Sequence, residues 1–419
     1  MSINYKNILM SVFVFLAIFA PPIVKFNVIY ILFGISALYL LKKSERKIVV
    51  RDSLFAALFF ALSVYLIIVV LINELITPNI FIQNRIVVLY QFFILMPFQV
   101  VVAKFIWSIN REEKALDWII DLIIYACLIE GVLVLVAFLF PAARSFFLDV
   151  MVMNGGNARI YASEEYLAYR AYGFADTLLD TFGYGMGLTA GICILRNNKT
   201  YMSFISLLLC LFSSVLNSRT GILIFIIAIG IKLLWYMKNH RASFKIRYLF
   251  VVILLVAISY LAVDKELIST QSINWIIGGF SSVFNFITHK NTGYVLGSMK
   301  NSLFSKSFWE LPPSIIERFF GTGHSCFGTY RINGYASDVG YVNYIWIIGY
   351  IGLGLLLVLL LHLFIKKYKQ TNEEDKKYII IFLMISFFVM FVKGNIITYS
   401  AGTFITILLM MGEEKKCQN

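Results

Sequence analysis

Six arginines, one histidine and one aspartate are the residues whose types and placement suit chemistry: Arg144, Arg159, Arg170, Arg219, Arg318, Arg331, His324 and Asp338. The planar guanidinium fork grips two phosphate oxygens at once and keeps its charge when partly dehydrated. In the same stretches stand only four lysines, Lys265, Lys290, Lys300 and Lys306. Solubility alone does not ask for that preference, and a phosphorylated ligand does; lipid headgroups would draw on the same chemistry.

Three segments concentrate these groups. The first is Arg170-Ala-Tyr-Gly173, followed by Asp176 and Asp180, whose spacing would place both carboxylates on one helical face. Asp176 would serve equally well as a helix cap. The second is Asn217-Ser218-Arg219-Thr220-Gly221, a polar hinge between two apolar runs that holds Arg219 at a membrane interface, where it binds a diphosphate or anchors the helix by snorkelling. The third runs from Gly321 to Gly354. Its Gly321-Thr322-Gly323 start offers backbone N–H groups to an anion, and it carries His324, Arg331 and Ser337-Asp338 into a long apolar run. Asp338 reads either as a helix cap or as a carboxylate that accepts a hydroxyl proton at the membrane surface. Gly349, Gly352 and Gly354 are expected to seat a neighbouring helix.

The elements that must position these groups follow from composition. The chain is 60% hydrophobic, with mean hydropathy +0.82, and apolar runs of about 16 to 25 residues recur from end to end. The expectation is an all-α polytopic membrane protein, a single integral domain over residues 1–419. Twelve spans are predicted, over 7–22, 26–41, 53–76, 86–107, 118–140, 177–195, 200–217, 221–237, 248–263, 338–365, 378–392 and 396–411. Two long outer loops, 141–176 and 264–337, carry most of the polar groups named above.

The net charge of +13 lies in clusters between spans rather than on one basic face, so it reports topology and not nucleic-acid binding. More than half of the 36 Lys and Arg residues fall on the side that also holds both termini, which places the termini in the cytoplasm. The first span stays as an anchor, because Pro21 and Pro22 turn directly into the second. Residues 273–288 are apolar enough for a further crossing, but that would move the cluster from Lys366 to Lys377 to the wrong side. They are expected to form an interfacial or re-entrant helix. Cys326 and Cys417 fall on opposite sides, and no disulfide framework is expected. Of the charges within spans, Lys232 is expected to snorkel and Glu130 is a candidate partner for a buried arginine. No HExxH, zinc spacing, Walker loop or GxSxG is present, so neither metal nor cofactor is expected.

About twelve spans, R-x-x-G ahead of a middle span, an S-R-T-G hinge, and G-x-G followed by S-D-x-G-Y and a glycine-rich aromatic helix together resemble the O-antigen polymerase family, relatives of the O-antigen ligases. The resemblance covers mainly residues 170–360. It implies a glycosyltransferase of the bacterial inner membrane, with a glycan on undecaprenyl diphosphate as donor and a lipid-linked repeat unit as acceptor. Polymerisation would take place at the periplasmic face, with a chain-length regulator protein as a further partner. The matched positions are Arg170, Arg219 and Ser337-Asp338 with Tyr341. Arg159, Arg318, Arg331 and His324 join them on local chemistry alone, with Asp338 or His324 as base or positioner. The related ligases usually carry His-Asn where this chain has Ser337-Asp338, which counts against a ligase. A lipid-linked oligosaccharide exporter is the alternative from another class. It should show repeat symmetry and polar groups in broken helices at mid-membrane.

Overall fold

The computed structural model describes residues 5–22, 28–42, 53–78, 80–110, 115–154, 171–176, 179–196, 200–238, 306–326, 337, 339–394 and 399–412. Among these residues every regular element is helical. In chain order they are α1 (Tyr5–Phe19), α2 (Val28–Leu40), α3 (Ser53–Ile76), α4 (Ile82–Ile109), α5 (Ala115–Leu139), α6 (Pro141–Met153), α7 (Leu179–Leu195), α8 (Tyr201–Asn217), α9 (Arg219–Lys238), the short α10 (Ile315–Phe320), α11 (Gly340–Gln370), α12 (Glu374–Lys393) and α13 (Ala401–Met410). Each predicted span other than 248–263 coincides with one of these helices. That span and the segment 273–288 lie outside the described residues. Among the described residues five helices, α3, α4, α5, α9 and α11, are long and apolar enough to cross a membrane, consistent with a membrane protein.

Two features depart from the expected pattern. Residues 141–153, read as loop, form α6, which starts on Pro141 and buries Phe147 and Met151 one turn apart while Phe146 and Met153 face outward. Phe147 packs on Phe174, with ring centroids 4.6 Å apart. Within α4, residues Gln91–Leu95 widen into a π-turn just before Pro97. Proline has no N–H to give to Phe93 and its ring crowds that carbonyl, and the wider turn absorbs the misfit.

The centre of the bundle is α7, which lacks side chains where its neighbours press closest. A Cβ on Gly187 would lie 2.6 Å from the Gly221 carbonyl oxygen of α9, and one on Gly185 would lie 2.5 Å from the Ala401 Cβ of α13. Backbones this close gain dispersion contacts that larger residues would forbid.

The two ends of the bundle differ in chemistry. At one end Arg196 pairs with Asp121 and Asp117, and Lys376 pairs with Asp117 (2.9 Å) and Glu373. Lys232 and Lys367 cap helix ends there, donating to Leu195 O and Gly412 O at 2.9 Å each. Lys232, expected to snorkel, is instead buried against a helix C-terminus. The other end carries asparagine clamps and the candidate functional residues.

Helix α11 is broken at Gly349, whose φ of 63° and ψ of −175° belong to a backbone region that essentially only glycine visits. The break frees the carbonyls of Trp346, Ile347 and Ile348. Residues 320–323 occupy them: Thr322 N–H donates to Trp346 O (2.7 Å), Gly323 N–H to Ile347 O (3.0 Å), and the Thr322 hydroxyl to Trp346 O (2.7 Å). The Tyr65 hydroxyl of α3 lies 3.1 Å from Ile348 O and 3.0 Å from Phe320 O.

Candidate functional site

Two of the three segments singled out in sequence meet in space. Asn217, fully buried at the last turn of α8, accepts from Ala171 N–H (3.1 Å) and donates to Ala171 O (2.6 Å), with a further bond to Ser213 O (3.0 Å). One amide thereby fixes both polar groups of the residue after Arg170, two positions ahead of Arg219 in its own chain. Gly183 of α7 completes the seat, because a Cβ there would lie 2.4 Å from the Ser218 Cβ. The residue after Arg170 and the helix end that leads into Arg219 are therefore held together at one end of the bundle.

The same strand of chain is anchored again three residues on. Glu130, buried within α5, accepts from Gly173 N–H (3.1 Å) and Phe174 N–H (3.4 Å). Its role is to satisfy two peptide groups rather than to pair with a described arginine. Asp176 N–H reaches Phe19 O of α1 (2.9 Å), and α7 starts only at Leu179. Asp176 lies in a bend, and the Asp180 side chain lies outside the described residues.

The third segment is folded inward. Thr322, His324, Ser325 and Cys326 are all buried, and the N–H groups of Gly321, Thr322 and Gly323 are taken by Glu317 O, Trp346 O and Ile347 O. Gly321-Thr-Gly323 is consequently a clasp on the broken helix and has no free N–H for an anion. Ser325 is held from both sides. Asn84 of α4 pairs with its N–H (2.8 Å) and its C=O (2.9 Å), while Asn343 of α11 accepts from its hydroxyl (2.7 Å) and from Cys326 N–H (3.0 Å).

His324 lies between the rings of Phe81 (4.4 Å) and Trp346 (5.8 Å). The Thr322 hydroxyl spends its proton on Trp346 O, so it accepts from His324 Nδ1 (3.1 Å). That assigns the Nδ1–H tautomer and leaves the lone pair on Nε2. Burial, aided by the nearby Arg85 charge, pushes the imidazole down to about 4. It is neutral at pH 7 and a weak proton acceptor.

The other predicted residues are placed as follows. The Tyr341 hydroxyl donates to Phe388 O (3.3 Å) and its ring packs on Phe391 (4.2 Å), joining α11 to α12. Arg318 closes its own turn, with Nε donating to Pro312 O (2.6 Å) and Nη2 to Pro313 O (3.5 Å). Ser337 accepts from Val339 N–H (3.1 Å) and donates to Phe308 O, so it braces the start of α11. Arg159, Arg170, Arg331 and Asp338 lie outside the described residues, as does the Arg219 side chain.

Arg85 is a functional candidate that the sequence reading passed over. It is 2% exposed, pairs with Glu74, donates to Thr77 Oγ1 (2.9 Å) and Thr77 O (3.2 Å), and faces the Phe81 ring. Glu74, Thr77, Asn84 and Arg85 bracket one short turn. The signal was there in kind: amides and charges at the margins of apolar runs need partners, and Asn84, Asn217 and Asn343 are each such a residue. No family model matches the chain, and no curated protein is significantly similar to it.

Proposed function

We propose that this chain is a glycosyltransferase of the O-antigen polymerase kind, which extends a glycan carried on undecaprenyl diphosphate at the periplasmic face of a bacterial inner membrane. The observation that carries the reading is the Asn217–Ala171 clamp, which joins the residue after Arg170 to the helix end just before Arg219. In this reading the arginines on the two segments that the clamp joins offer guanidinium groups to a lipid diphosphate, whose charge grows as it departs.

In the reaction, a hydroxyl oxygen of the acceptor repeat unit attacks the anomeric carbon of the donor glycan. The new C–O bond forms as the anomeric bond to the diphosphate breaks. Undecaprenyl diphosphate leaves with the electron pair, and Arg170 and Arg219 stabilise it, with Arg331 and Arg159 as further phosphate ligands. The acceptor hydroxyl proton passes to Asp338, one residue after the buried Ser337. His324, neutral and enclosed, holds the Thr322 clasp in place, and Tyr341 ties the same helix to α12. Diphosphate is a good leaving group, so positioning contributes more than strong base assistance.

Both termini face the cytoplasm in this account, at the end where Arg196, Lys232, Lys367 and Lys376 gather. The experiment is a glycan ladder from cells lacking the gene. A single lipid-linked repeat on the finished glycolipid supports a polymerase. Loss of all surface glycan indicates an exporter, and accumulation of long lipid-linked chains indicates a ligase.

A further inference from the structure

We propose that residues 308–326 form a re-entrant hairpin whose short helix α10 is immersed in the acyl chains of one membrane leaflet. Hydrogen bonds trace its path. The descending arm begins where Phe308 O meets the Ser337 hydroxyl at the mouth of α11, continues where Glu310 O accepts from Trp346 Nε1 (3.1 Å), and ends at Phe320 beside Tyr65 and the Gly349 break. The returning arm passes Gly323, whose Cβ position lies 3.2 Å from Val70, and reaches Ser325 at Asn84.

The contacts at Trp346 to Gly349 lie roughly six to nine residues below the start of α11, about 9 to 13 Å along the helix axis. Helix α3 has 24 residues, a length of about 36 Å that overhangs a 30 Å hydrocarbon core by about 3 Å at each end. Tyr65, which meets the tip at Phe320 O, stands 11 residues before the end of α3, about 16 Å along its axis, so the tip reaches about 13 Å into hydrocarbon.

Its surface chemistry suits that depth. The irregular arm from Thr322 to Cys326 is buried in protein, a condition under which non-helical backbone is tolerated in a bilayer. The polar groups of α10, half-buried, bond within their own segment: Glu317 accepts from Ser314 N–H, and Arg318 reaches back to the carbonyls of Pro312 and Pro313. What α10 shows outward is apolar, with Ile315 69% and Ile316 71% exposed and Phe319 and Phe320 about half so. This patch continues the exposed apolar stripe of α3 formed by Leu71, Ile72 and Leu75, beside which Asn73 bonds the hairpin at Gly321 O.

The test uses the full-length protein in lipid nanodiscs with a spin label at Ile316→Cys or Phe319→Cys. Cys127, Cys193, Cys210 and Cys326 are buried, so Cys417→Ser suffices as background. The expected result is strong relaxation by dissolved oxygen and weak relaxation by an aqueous nickel chelate. Dominant relaxation by nickel would place α10 in water, and dipolar broadening between labels would place a second copy against it; either overturns the proposal. As an independent arm, Ile316→Asp should reduce folded protein in the membrane severalfold, because a charge in hydrocarbon is costly. An unchanged level for this well-exposed position would contradict immersion. Neither readout depends on enzymatic activity.

Discussion

Gly349→Ala is the sharpest structural test, because the magnitude can be assembled from neighbours that cannot move aside. The backbone at Gly349 sits where side chains are strained by about 1 to 3 kcal/mol. A Cβ there would lie 2.2 Å from Phe319 O and 2.6 Å from Gly321 N, both backbone atoms. Residues 319–323 would have to lift, giving up the bonds from Thr322 N–H, Gly323 N–H and the Thr322 hydroxyl to the freed carbonyls. Three such bonds are worth about 0.5 to 1.5 kcal/mol each. The total, about 3 to 7 kcal/mol, is a large part of a typical folding free energy. Gly354→Ala is the internal control: nothing lies within 4 Å of its Cβ position, so helix propensity favours it by up to about 1 kcal/mol. Thermal unfolding of both variants in detergent should show Gly349→Ala poorly folded and Gly354→Ala equal to wild type or better. Equal stability of the two would refute the seating of residues 319–323 on the helix break.

Further outcomes follow from the same contacts. The His324 imidazole has its folded value pushed below the ordinary one of about 6.5, so the unfolded chain binds the extra proton first. The stability that His324 contributes is intact above pH 6.5 and is lost as pH falls towards about 4, to a limit of about 3 kcal/mol. Unfolding midpoints measured against pH should show this slope in wild type and lack it in His324→Gln; identical slopes would remove the role of burial. Asn217→Ala strands the buried N–H and C=O of Ala171, at a cost of about 2 to 4 kcal/mol. It should shorten glycan ladders beyond any drop in membrane protein level, and full-length ladders at reduced level would make the clamp merely structural.

The helices were legible because long apolar runs have one solution in lipid, and the predicted ranges other than 248–263, which lies outside the described residues, fell on α1 to α5, α7 to α9 and α11 to α13 with shifts of a few residues. The break at Gly349 was not, since a glycine in an apolar run reads equally as a packing site, a hinge or a filler. Gly352, Gly349 and Gly354 show the spread: the first is pressed on Ile348 and Tyr65, the second breaks the helix, and the third touches nothing. Arg170 and Arg219 stood out by residue type, yet the contact between their two segments runs through Asn217 and Ala171, 46 residues apart, which residue type does not show. The Gly321-Thr322-Gly323 N–H groups, expected to be open to an anion, are taken for a physical reason. The polarity of this segment serves buried carbonyls and amides rather than solvent or ligand, and composition is blind to which partner a hydrogen-bonding group meets.

The account stands most directly on Arg219. Arg219→Lys keeps the charge and loses the fork, so a bidentate phosphate ligand should fail while an interfacial anchor should tolerate lysine. Glycan ladder length is to be measured against membrane protein level for Arg219→Lys and Arg219→Ala. The expected result is wild-type protein level with severely shortened ladders for lysine and activity down by more than tenfold for alanine, at least about 1.4 kcal/mol of lost transition-state stabilisation. Wild-type ladders from the lysine variant would contradict the account and make Arg219 an anchor.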